Sequence, residues 1–355
     1  MLKLILRLRL FQMNKKIIIS FSLIIITTVS ACSLNKNSNF WKGKKEEMAR
    51  IAALERRQSD KVSNFYTSEN IYAQEIKPQK VIKIVQATDN KEWAMTGLNH
   101  QNNISNIYFS GESKVFMKKN IGKNKFSVFK LKTSPLGVGG NIILTDDTGS
   151  IFNVNKSGKI IWKKNIYKKI YKKIHKNLAL TFNNNKLYVA DNIGFVYSLS
   201  FQTGEVIWIK NIKIPIKSTI KLFDDKIFIV DQDNKIICLN SKDGKKLWDI
   251  RSGSSFIKSQ DLLSLAVSKN GDLFSIATSG DLLKVDIKNG RIYWSLKATD
   301  TLFAHDNDFF KSSDIVLTDE DLLISVAPLF FSFNMENGYV NWKINASTSH
   351  TPIIN

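Results

Sequence analysis

Five tryptophans stand at one fixed distance behind a glycine, and that repetition constrains the fold more than any other feature of the 355 residues. The pairs are Gly158/Trp162, Gly204/Trp208, Gly244/Trp248, Gly290/Trp294 and Gly338/Trp342. Successive tryptophans lie 46, 40, 46 and 48 residues apart. Only Trp41 and Trp93 fall outside the pattern. Self-similarity at such a period is the mark of a repeat architecture.

The residues around each pair say what the unit is. Each glycine follows a small polar residue, as in Lys156-Ser157-Gly158 and Lys242-Asp243-Gly244. Glycine supplies φ > 0 there without a steric cost, which is a hairpin signal. An apolar–x–apolar strand precedes the turn (Phe152/Val154, Tyr197/Leu199, Ile237/Leu239, Leu283/Val285, Phe331/Phe333), and a strand carrying the tryptophan follows it. Further strands are expected at Asn141–Asp146, Lys186–Asp191, Lys226–Asp231, Asp272–Thr278 and Asp321–Ala327. Weaker apolar segments, such as Leu178–Phe182 and Thr219–Phe223, precede these. About four antiparallel strands per repeat predict an all-β propeller. A blade with two apolar faces buries them only between neighbours, and the tryptophan is read as the rigid filler of each gap.

The N-terminus reads as an address. Lys15 and Lys16 precede an apolar stretch, Ile17 to Val29, that is short for a membrane span but suits a signal peptide. It ends in Val29-Ser30-Ala31-Cys32, which resembles a bacterial lipobox. That resemblance implies cleavage before Cys32 and a lipid on its thiol, and Ser33 in the next position leans toward the outer membrane. The clean signal starts at Met13, so translation from there is an alternative to Met1. The domains expected are a signal peptide over 1–31, a tether over 32–85 with a short helix at Glu46–Arg57, and a propeller over 86–355.

Composition closes several doors. Two cysteines, Cys32 and Cys238, make neither a disulfide framework nor a four-cysteine zinc site. Cys238 sits in the apolar run Ile236–Leu239 and reads as a buried core thiol. The four histidines, His100, His175, His305 and His350, show no metal-ligand spacing, and no phosphate-binding glycine loop occurs. Asp191-Asn192 and Asp231–Asn234 suggest calcium at first sight but read better as turn chemistry. The net charge of +21 admits two readings, a codon bias toward Lys, Ile and Asn or attraction to an anionic surface. The Lys-rich segment Lys163–Lys176 is expected to be an exposed arm. An exported chain does not routinely meet nucleic acid, so an anionic lipid headgroup or an acidic partner is its expected target.

The unit Gly194-Phe195-Val196-Tyr197-Ser198-Leu199 leading to Gly204-Glu205-Val206-Ile207-Trp208 resembles the PQQ-like propeller repeat, over about residues 91–355. With the lipobox, the chain resembles the BamB family of outer-membrane assembly lipoproteins. The resemblance implies an eight-bladed, periplasm-facing, non-catalytic scaffold without cofactor or metal. It also implies BamA and other assembly-machinery subunits as partners, the chain being a monomer within that complex. In that family Trp93–Gly97 and a strand at Lys114–Lys118 fit the ring-opening region, with Phe116 where a tryptophan is expected. Two partner-binding matches are Arg251, in Ile250-Arg251-Ser252-Gly253, and the pair Asp306 and Asp308. Another envelope binding module, such as a sensor or polysaccharide binder, stays open. A quinoprotein dehydrogenase is disfavoured because the two cysteines are not adjacent and no carboxylate cluster suits its metal. The 265 residues from Lys91 to Asn355 amount to about six repeats, so an incomplete ring of about six of eight blades is expected, with a natural six-bladed ring as the alternative.

Overall fold

The computed structural model describes residues 49–50, 52–53, 84–109, 115, 117–126, 133–171, 173–252, 262–298 and 312–354. The chain divides into two units, Met1–Ile82 and Lys83–Asn355. In the first, residues 49–50 and 52–53 are helical. Cys32, Trp41, Phe116, Asp306 and Asp308 lie outside the described residues.

Alternating apolar residues and glycine turns build the second unit as five four-stranded antiparallel sheets. The first comprises β1 (Leu136–Val138), β2 (Asn141–Thr145), β3 (Ser150–Asn155) and β4 (Ile160–Asn165). The second comprises β5 (Leu178–Asn183), β6 (Lys186–Asp191), β7 (Phe195–Ser200) and β8 (Val206–Asn211). The third comprises β9 (Lys221–Phe223), β10 (Lys226–Val230), β11 (Lys235–Asn240) and β12 (Lys246–Arg251). The fourth comprises β13 (Leu265–Val267), β14 (Asp272–Ile276), β15 (Asp281–Asp286) and β16 (Ile292–Lys297). The fifth comprises β17 (Val316–Leu317), β18 (Asp321–Val326), β19 (Leu329–Asn334) and β20 (Val340–Ile344). Within each sheet the strands pair in chain order, as propeller blades do.

The core lies between sheets. Ile237 and Leu239 of β11 pack toward the second sheet, with Tyr188 and Ala190. Their neighbours Ile236 and Cys238 pack the other way, with Leu265 and Val267 of the fourth. Equivalent layers join the first sheet to the second and the fourth to the fifth. Cys238 is a buried free thiol, pushed up to about 12 by desolvation and so inert at neutral pH.

Each layer is fastened at its outer margin by the repeated pair. The indole of Trp162 donates to Phe201 O (2.8 Å), Trp208 to Ser241 O (3.1 Å), Trp248 to Ile287 O (3.1 Å) and Trp294 to Met335 O (3.2 Å). Every acceptor stands three residues before the next sheet's turn glycine. That glycine holds φ between +71° and +78° and lies under the indole: a Cβ on Gly204 or Gly244 would fall 2.7 Å from the ring. A bulge places the ring there. In every sheet the third and fourth strands shift register beside the tryptophan, as between Ser198 and Leu199 opposite Trp208. The extra residue on the outer strand increases local twist.

Two ends of the series depart from the repeat. Gly158 lies under Met117, while Lys119 Nζ donates to its carbonyl (2.8 Å). The strand expected at Lys114–Lys118 is absent among the described residues there, because Val115, Met117 and Lys118 form no ladder. At the other end Trp342 is 44% exposed and, among the described residues, stacks on Phe330 of its own sheet at 5.7 Å.

These junctions predict a graded response in urea unfolding. Trp248→Ala should cost about 3–5 kcal/mol, whereas Trp342→Ala should cost less than about 1.5 kcal/mol. Gly244→Ala should cost about 2–3 kcal/mol, from left-handed strain and the displaced indole together. Equal losses at Trp248 and Trp342 would contradict this account.

Candidate functional site

The inner strands surround a single-copy segment rather than open solvent. Residues 93–103 run across all five inner strands in order. Trp93 exchanges backbone hydrogen bonds with Gly137 of β1 (2.6 and 3.1 Å), and Ala94 O accepts from Phe182 N of β5 (2.7 Å). Lys221 of β9 reaches in with its ammonium. His100 O accepts from Val267 N of β13 (2.8 Å), and Gln101 O from Leu317 N of β17 (3.0 Å). The segment turns at Gly97 (φ +77°), where a Cβ would lie 2.1 Å from Asn102 Oδ1.

Two buried polar side chains pin this thread. Asn102 is 3% exposed and its amide donates to Leu265 O (2.9 Å) and Ile315 O (2.8 Å). Its Oδ1 accepts from Lys221 Nζ (2.5 Å), which also donates to Thr96 O (2.8 Å) and Asn99 O (2.9 Å). Three acceptors match the three protons of an ammonium. Burial pushes Lys221 down to about 7, and the nearby Asp314 pulls it the other way. His100 stands beside it, edge-on to Phe223 at 5.2 Å, and is held below its ordinary value by burial and then by Lys221 and Lys269.

A cleft of about 570 Å³ opens beside the thread, lined by Trp93, Gly97, Ile104, Leu136, Asp314 and Thr351. It spans from β1 to the residues flanking the fifth sheet. Among the described residues, no group of three or more His, Cys, Asp or Glu is placed to hold a metal ion. The carboxylates that suggested calcium cap turns instead. Asp191 Oδ1 accepts from the amides of Ile193, Gly194 and Phe195, and its Oδ2 from Tyr167 (2.6 Å). Burial holds Asp191 above its ordinary value against those hydrogen bonds. Asp231 caps the next turn through Asp233 N and Lys235 N.

Among the described residues, the sequence-derived ones do not converge on one site. The five Gly/Trp pairs lie at the sheet margins. Arg251 is exposed at the end of β12, opposite Lys235, and leads into the connection to the fourth sheet. Trp93–Gly97 was singled out only through the family resemblance; the course of the thread through Asn99–Asn103 and its anchor Lys221 were missed, since Lys221 is one lysine among many.

Comparison with known proteins fits this architecture. The family model for outer membrane protein assembly factor BamB matches residues 147–354. The chain belongs to the BamB family. Among relatives, it is 27% identical over 252 residues to the uncharacterised protein RP232 of Rickettsia prowazekii, covering 68% of this chain and 60% of that one. The chain thus spans about 60% of the length of the relatives it matches. Similar solved structures include BamB of Moraxella catarrhalis, with 16% identity, TM-score 0.46 and coverage of 61% of this chain and 62% of that one. They also include the quinohemoprotein alcohol dehydrogenase of Comamonas testosteroni, with 13% identity, TM-score 0.53 and coverage of 73% and 50%. At 13% identity the dehydrogenase shows the fold alone, since one propeller carries many chemistries.

Removing the buried ammonium tests the thread. Lys221→Met strands three acceptors and should cost about 2–4 kcal/mol in urea unfolding at neutral pH. The unfolded lysine keeps its proton up to 10.5, whereas the folded one releases it from about 7. The unfolded chain therefore binds more protons between those values, and stability from this group rises with pH across that window. Lys221→Met should remove that part of the slope; an unchanged slope would refute the assignment.

Proposed function

We propose that this chain is a non-catalytic scaffold lipoprotein of the outer-membrane β-barrel assembly machinery. In this reading it is anchored through Cys32 on the periplasmic face of the outer membrane, binds BamA and assists insertion of outer-membrane proteins. The observation that carries the reading is the family match, which runs through the outer strands of the first sheet and all of the next four. The geometry is consistent with a binding role. The buried polar cluster around Lys221 and Asn102 is consumed in holding the inner strands together. We assign partner contact to the rim of connections between sheets, where Arg251 is exposed.

Crosslinking followed by isolation of BamA should recover this chain. Arg251→Glu should lower recovery about tenfold or more, as charge reversal at a contact does, and leave the urea midpoint unchanged. Absence of this chain from BamA isolated under mild crosslinking would defeat the partner assignment. Separately, Cys32→Ser should abolish acyl labelling and leave an uncleaved or soluble species; persistent labelling would defeat the anchor.

A further inference from the structure

The connection between the first and second sheets is a built, outward-facing cationic loop. It is not the uniformly exposed arm expected from sequence. Lys163 and Lys164 belong to β4, where Lys164 pairs with Glu205 (3.0 Å). Lys176 is buried at 1% exposure and donates to Tyr171 O, because its backbone amide is tied to Asp147 O and its stem packs under Gly149 and Tyr167. Between these anchors the loop turns through a single 3₁₀ turn at Lys169–Tyr171. Tyr167 and Tyr171 fix it from below, packing edge-on to each other and onto Tyr197 and Phe195 of β7. Tyr167 also donates to the buried Asp191.

That inward aromatic footing leaves a definite set outside. Lys168, Lys169 and Lys173 are exposed, and between them stand Ile170 at 78% and Ile174 at 44% exposure. Lys123 and Lys125 are exposed on the adjoining segment, whose amides at Lys123 and Phe126 bond to Asp146 and Asp147. Three carboxylates that act on Lys176 at the foot of this loop, Asp146, Asp147 and Asp191, are at most 2% exposed. The opposite end of the sheets differs: its lysines pair with surface acids, Lys242 with Asp225 (3.1 Å) and Lys269 with Asp319 (2.5 Å).

We propose that this loop is a docking surface for an anionic phospholipid bilayer, the lysines meeting headgroups while Ile170 and Ile174 enter the interface. Lysines ringing exposed aliphatic side chains are the pattern of interfacial membrane contact, and a protein interface would bury the isoleucines against a shaped partner instead. The inference is independent of lipid on Cys32, and its failure would leave the scaffold reading intact.

Full-length chain should be sedimented with phosphatidylcholine vesicles with and without phosphatidylglycerol, over a range of salt. The apolar segment at 17–29 is common to every variant and cancels in the comparison. The triple variant Lys168→Gln, Lys169→Gln, Lys173→Gln should bind phosphatidylglycerol vesicles at least about tenfold more weakly, with a shallower salt dependence and an unchanged urea midpoint, since each lysine near such a surface contributes roughly fivefold. Ile170→Ser should weaken binding several-fold while keeping the wild-type salt slope. Wild-type binding by the triple variant would overturn the proposal. Loss in the triple variant with no effect of Ile170→Ser would overturn the entry of the isoleucines into the interface, the binding then being to headgroup charge alone.

Discussion

The contact between an indole and the glycine of the following sheet is the constraint on which the rest depends. Three requirements meet at that point. The turn needs φ > 0, the indole needs a surface with no Cβ, and the indole N–H needs a carbonyl at a fixed place. Glycine satisfies the first two together, and the carbonyl three residues earlier satisfies the third. Because the acceptor belongs to the next sheet, the contact couples sheets in chain order. Apolar burial then follows the junctions and not the sheets, so each of the four clusters draws on two neighbours and one tryptophan. Stability built this way is close to a sum of nearest-neighbour terms.

The inner margin uses a different solution. Inner strands β1, β9, β13 and β17 are only two or three residues long, so their ladders satisfy few backbone groups. Residues 93–103 supply the missing partners, and Asn102 joins the fourth and fifth sheets through one amide. The price of this arrangement is a buried cation. Lys221 tolerates it because Thr96 O, Asn99 O and Asn102 Oδ1 replace water around the ammonium.

What was legible in the sequence is what repeats. The Gly/Trp pairs and the flanking alternation showed the sheets to within a residue or two, and the capping carboxylates Asp191 and Asp231 were readable from turn chemistry. The bulge beside each tryptophan was not, because it changes register without changing the apolar pattern. The path of the thread was hidden for the opposite reason: it occurs once, and the contacts of Lys221 and Asn102 span more than a hundred residues. The junction before the first sheet shows the limit of extending a repeat. There Met117 lies over Gly158, while Phe116, the expected counterpart of a tryptophan, lies outside the described residues.

The same turn chemistry bears on how the net charge of +21 is distributed. A codon bias toward lysine raises charge everywhere and favours neither end of the sheets. The turns between second and third strands, however, require side-chain acceptors for their amides, and Asp146, Asp191 and Asp231 are drawn inward to provide them. A carboxylate held in a buried turn is not exposed to pair directly with a surface lysine beside it. At the opposite end the turns are closed by glycine and by exposed Asx residues, so Asp225 and Asp243 stay available to pair with Lys242 and Lys245. Among the described residues, this end of the first two sheets therefore keeps Asp146, Asp147 and Asp191 inside while lysines stand at its surface, and the exposed Lys168, Lys169 and Lys173 project there.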